Sequence, residues 1–145
     1  MRFSLLLALG LVMAGCAQPT STSSAQLSGY YKSSYGDGFS ISGSTFTQYN
    51  NPAKSVSFAG TIANSPDLGA TAGTIIVQIT DGGTWAMTVG HYYAIRWKGL
   101  TSNGAQESSA SAYPATTPDP TTLSEAVTAF APDSLYGYYG EYAKQ

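Results

Sequence analysis

The segment from Gly29 to Pro118 is a succession of short runs in which apolar and polar residues alternate, each closed by Gly, Asp, Asn or Pro. A period of two sends successive side chains to opposite faces of a strand. Repeated at short intervals between turn residues, that pattern restricts the chain to antiparallel sheet, either closed on itself or packed on a second sheet.

The runs can be placed one by one. Gly29-Tyr30-Tyr31-Lys32-Ser33-Ser34 opens the first strand and Gly36-Asp37-Gly38 turns it. Phe39, Ile41 and Phe46 come next, around a turn at Gly43-Ser44. Val56, Phe58, Gly60 and Ile62 share one face of the next run, and Ile75, Val77 and Ile79 share one face of the run after it, which Asp81-Gly82-Gly83 ends. Tyr93, Ile95 and Trp97 share a face in HYYAIRWKGL, with His91 at the same parity. Asn103-Gly104 then offers a tight hairpin from which AQESSASAY pairs back. The expectation is a mainly β fold, a small antiparallel barrel of seven or eight strands spanning 29–135.

After Pro118 the period changes. Thr122-Leu123-Ser124-Glu125 matches a capping box, and Leu123, Val127 and Phe130 fall on one helical face, so a short helix is expected at about 122–130, stopped by Pro132. The Tyr-rich segment 136–145 is expected to be a last strand, with a partly ordered tail as the alternative.

Ahead of the barrel, Met1-Arg2 supplies a positive start, Phe3 to Val12 is apolar, and small residues close the segment, the layout of a signal peptide over 1–15. The apolar run is shorter than the ~20 residues a membrane-spanning helix needs. Residues 17–28 carry no periodicity and are expected to form a flexible tether. Cys16 is the sole cysteine, so no internal disulfide is available and a covalent fate for its thiol fits an exported protein.

Met13-Ala14-Gly15-Cys16 resembles the lipobox of bacterial lipoproteins, with Met in the usual Leu position. That resemblance implies that Cys16 carries a diacylglyceryl thioether and becomes an acylated, palmitate-type N-terminus, attaching the protein to the cell membrane or outer membrane on the extracytoplasmic side. The absence of Asp at 17 and 18 fits outward sorting. The Gly29-Tyr30-Tyr31 opening, Phe39, Ile41 and Phe46, Phe58-Gly60-Ile62, Tyr93 with Trp97, and Thr122-Leu123-Glu125-Ala126-Phe130 together resemble small domains of spirochaetal lipoproteins over residues 29 to about 130. Such domains are lipocalin-like in outline, although Gly29-Tyr30-Tyr31 stands where lipocalins have Gly-x-Trp. The resemblance implies a barrel and carries no assigned chemistry.

The residues themselves exclude several chemistries. A net charge of −2 without a basic run excludes nucleic acid as a partner and leaves lipid rather than charge to hold a membrane. With one His and one Cys no zinc cluster can be built, and Asp37, Asp67 and Asp81 stand apart among glycines as turn formers, so neither metal nor cofactor is expected. Glu125 is assigned to the helix cap, while Asp119 and Asp133 flank prolines. His91 has no nucleophile elbow beside it and reads as a solvent-facing strand-edge residue, so no enzyme is expected.

Eleven Tyr and two Trp remain, side chains with an apolar body and a polar edge suited to cavity walls and recognition surfaces. Phe58, Ile62, Tyr93 and Trp97 are the candidate cavity lining, and Trp85, beside the Asp81-Gly-Gly-Thr84 loop, is the candidate exposed anchor. The expected function is a non-enzymatic, lipid-anchored envelope protein that binds a small apolar ligand or a macromolecular partner. The alternatives are a structural or antigenic surface domain without ligand, and a small hydrolase using His91.

Overall fold

The computed structural model describes residues 27–50, 55–64, 72–110 and 117–145; the expected signal peptide, Cys16, the tether to Gln26 and Asp67 lie outside these. The alternating runs form β1 (Gly29–Ser33), β2 (Gly38–Ser42), β3 (Thr45–Tyr49), β4 (Val56–Asn64), β5 (Ala72–Asp81), β6 (Tyr92–Thr101), β7 (Gly104–Ser109) and β8 (Gly140–Lys144). Each strand pairs with the next, and β8 pairs with β1, so eight antiparallel strands close a mainly β barrel, lipocalin-like in outline.

The register carries one parity inward all the way round. Tyr31 opposes Phe39, Ile41 opposes Phe46, Phe46 opposes Gly60, Gly60 opposes Ile79, Val77 opposes Tyr93, and Trp97 opposes Glu107. An eight-stranded barrel is just wide enough for its side chains to fill. Here aromatic rings do the filling: Tyr31 stacks on Phe39 at 4.7 Å, Phe39 on Phe46 at 5.9 Å and Phe46 on Phe58 at 5.7 Å, with Tyr93 edge-on to Phe58 at 5.3 Å. Such contacts add about 0.5–1.5 kcal/mol per pair to the burial of the rings.

The connections sort to two ends. The β2–β3 and β6–β7 turns lie at one end, the floor, where the chain enters through Leu27, buried in the core. The β1–β2 and β5–β6 connections, with the ends of β3 and β7 and the starts of β4 and β8, lie at the other, the mouth. Gly43 supplies the left-handed backbone of the expected Gly43-Ser44 turn, at φ 58°. The second hairpin differs by one residue from expectation: Thr101 pairs with Gly104, so Ser102 and Asn103 turn the chain and Gly104 begins β7. A Cβ at Gly104 would stand 2.1 Å from the Tyr142 carbonyl oxygen, so this glycine serves close approach of β8 rather than the turn.

The helix α1 (Leu123–Ala129) has the expected capping box, Thr122 accepting from the Glu125 amide and Glu125 reaching back to Thr122. Of the face expected to be buried, Phe130 is buried and Leu123 half-buried against the core, and Val127 alone departs from it. Val127 is exposed, while Ala126 and Phe130 are buried, because the small Ala126 lets the helix lie close to the outer wall of β6. The chain then crosses that wall before entering β8. Arg96, on the outer face of β6, bonds Thr74 at 3.1 Å, the Ala131 carbonyl at 3.2 Å and Asp133, and stacks 3.9 Å above Tyr136. The Tyr-rich end resolves into this outer strap and a strand from Gly140.

Candidate functional site

The aromatic filling stops short of the mouth. Above it opens a cavity of about 720 Å³ whose wall includes Asp37, Gln48, Trp85, Met87, Tyr93, Glu107 and Tyr142. Its polar groups come from inward-facing positions on β3, β6, β7 and β8 and from the β1–β2 turn; its apolar groups come from the β5–β6 loop.

Trp85 sits in a single 3-10 turn, Gly83–Trp85, that Ala86 ends in the left-handed region at φ 53°. This turn folds the indole back over the barrel, 5.3 Å from the Phe58 ring and 6.4 Å from that of Tyr93, while leaving it 43% exposed. Gly83 makes the fold-back possible: its φ is 50°, and a Cβ there would lie 2.3 Å from the Ser57 carbonyl oxygen.

The same cavity wall carries two carboxylates, Asp37 and Glu107. Glu107, only 4% exposed, accepts a hydrogen bond from the Ser109 hydroxyl at 3.1 Å. Burial pushes its carboxyl up to about 7, opposed by hydrogen bonding to Ser109 and Tyr142 and reinforced by the charge of Asp37. The Tyr142 hydroxyl donates to Asp37 at 2.8 Å, and the Ser33 hydroxyl also bonds that carboxylate. Burial raises the Tyr142 and Tyr93 phenols well above the usual tyrosine range, and Glu107 adds to both. Each therefore stays a neutral donor. The Tyr93 hydroxyl donates to the Ala110 carbonyl.

Two further polar groups belong to this lumen. Gln48, 4% exposed, lines the cavity with an amide oxygen that has no hydrogen-bond partner among the described residues. The Trp97 indole N–H likewise has none, and Trp97 stands directly across the β6–β7 pair from Glu107. A buried polar atom without a partner costs about 1–3 kcal/mol, so this concentration is unusual for a purely structural interior.

Of the side chains expected to line a cavity, Trp85 and Tyr93 do so. Phe58 lies beneath them in the aromatic filling, and Trp97 is buried deeper in the same core. Ile62 is half-buried against the core on the floor-ward part of β4, away from the mouth. Glu107 was not distinguished by sequence, because Ala105, Gln106, Ser108 and Ser109 leave both faces of β7 small or polar and give no parity signal, and Gln48, at the parity of Phe46 on β3, ends the apolar part of its run. Asp37, read as a turn former, forms its turn and also faces the cavity.

No protein-family model, curated protein or solved structure matches this chain. Its function must be argued from the cavity itself. Among the described residues no helix is long and apolar enough to cross a membrane. His91 pairs with Asp119 at 2.8 Å on the outside of the mouth, and the Asp119 carboxylate is largely exposed. A second hollow, of about 880 Å³, runs along the barrel past Lys32, Gly104, Gln106 and Glu141. It is the larger of the two, but none of the buried unpaired side-chain atoms belongs to its wall.

Proposed function

We propose that this protein is a non-enzymatic binding protein of the cell envelope, anchored through lipid on Cys16, whose barrel mouth takes up a small molecule. The observation that carries the reading is the cavity between Trp85 and Glu107, an open cup above a filled aromatic core. Its volume suits a small ligand, and its mixture of flat apolar side chains with a few buried polar groups is the usual makeup of a ligand site. The filled lower half argues against a long acyl chain, which would need a lumen open to the floor.

The test of the cup is saturable fluorescence enhancement of the neutral apolar probe N-phenyl-1-naphthylamine by the full-length protein. Saturation at one probe per chain, weakened at least fivefold by Trp85→Ala, is the expected result. Absence of any saturable signal counts against the reading. The anchor has its own test, intact mass of membrane-extracted protein against Cys16→Ser: acyl mass and membrane retention are lost together in the variant, or the anchor is absent.

One observation supports a macromolecular partner as a second reading. Tyr35, Trp85, Val89 and Tyr138, all large and exposed, stand on the connections around the mouth. A rim of this kind suits a protein surface that also covers the cup.

A further inference from the structure

If the mouth is a binding site, as proposed above, the chemistry of the cup narrows the class of ligand. Its two carboxylates, Asp37 and Glu107, face a space whose walls hold no Lys, Arg or His among the described residues. Lys144, which shares the lumen parity through its pairing with Tyr31, places its ammonium 5.7 Å from the Tyr31 ring and takes no part in the cavity wall. The described groups facing Glu107 are neutral or negative: Trp97 and Tyr93 on β6, Ser109 on β7, Tyr142 on β8, and Asp37 on the β1–β2 turn.

An ionised, buried carboxylate without a cation is unfavourable. The Gln48 amide oxygen, on β3 across the same cavity, is buried and unpaired among the described residues, an independent sign that a hydrogen-bond donor is missing there. Trp85 and Tyr93 present aromatic rings to the same cavity, and a cation held near such faces gains further attraction.

We propose that the cup binds a small organic cation, a protonated amine carried on an apolar or aromatic body, with the ammonium held by Glu107, Asp37 and Gln48 and the body against Trp85 and Tyr93. The ligand's donors then reach the one acceptor left open, the Gln48 amide oxygen, while its charge is balanced by the two carboxylates. Binding requires the Glu107 carboxylate, whose proton is held to about pH 7 in the free protein, so affinity rises with pH through neutrality.

The experiment is displacement of N-phenyl-1-naphthylamine from the full-length protein by 2-phenylethylamine and by 2-phenylethanol, molecules of one shape that differ in charge. At pH 8 the amine is expected to displace at a concentration at least tenfold lower than the alcohol. Its advantage is expected to be largely lost by pH 5.5, where Glu107 is protonated. Glu107→Gln, isosteric and with an unchanged near-ultraviolet spectrum, is expected to lose the preference for the amine over the alcohol. If the amine and the alcohol displace the probe equally well at pH 8, the cation assignment is overturned while the cup stands. If the probe does not bind at all, both fall.

Discussion

The Tyr142 hydroxyl on the last strand donates a 2.8 Å hydrogen bond to Asp37 in the first turn, 105 residues away, so the seam that closes the barrel is also a wall of its cavity. β8 meets β1 over only three residue pairs, which makes this side-chain contact a large share of the closure. Tyr142→Phe keeps the ring against Phe39 and removes only the hydroxyl. It is expected to destabilise by about 1–2 kcal/mol, measured by urea unfolding. An unchanged midpoint would mean that strand pairing alone holds the seam.

Glu107 governs how stability responds to pH. Its carboxyl is raised from 4.5 to about 7, so between those values the folded state binds more protons than the unfolded state. Stability therefore falls as pH rises from 4.5 to 7, by about 3 kcal/mol if the full shift is realised. Glu107→Gln is expected to abolish this fall and to be the more stable protein at pH 8. Parallel pH profiles for variant and wild type would refute the assignment.

Gly60 faces inward between Phe46 and Ile79 where β4 shifts register. A Cβ there would lie 2.2 Å from the Gln78 carbonyl oxygen and 2.4 Å from the Val77 side chain. Gly60→Ala is expected to cost about 2–3 kcal/mol through displaced backbone, read as a lower urea midpoint. A neutral effect would mean that the bulge relaxes freely.

Arg96 fastens the strap between the helix and β8. Arg96→Lys keeps the charge but loses the planar stack on Tyr136 and the forked contact to Ala131 and Asp133. Burial pushes the Tyr136 phenol up to about 12, with Arg96 opposing, so Tyr136 remains neutral and its hydroxyl keeps donating to the Phe130 carbonyl. Faster amide exchange confined to residues 130–139 is the expected outcome; uniform change across the barrel would point to a global effect instead.

Legibility in the sequence tracked the size of the side chains. Where Phe58 or Trp97 alternates with small or polar neighbours, burial has one solution, and strand, face and closure could all be read. The capping box was legible because two side chains three residues apart satisfy backbone groups locally. Val127 was misplaced because periodicity counts apolar residues, whereas close packing on β6 favoured the small Ala126. The polar cup was hidden for a related reason. Gln48, Glu107 and Asp37 come from three separate elements, and only the tilt and closure of the sheet bring them to one mouth.

The entry of the chain at Leu27 carries one more consequence. The Gln145 amide bonds the Tyr30 carbonyl at 2.9 Å, so both ends of the described chain emerge together at the floor. A domain fastened by either end to a sensor chip, a bead or a bilayer presents its opening to the bulk solution. Molecules arriving by diffusion meet Trp85 before they meet the support.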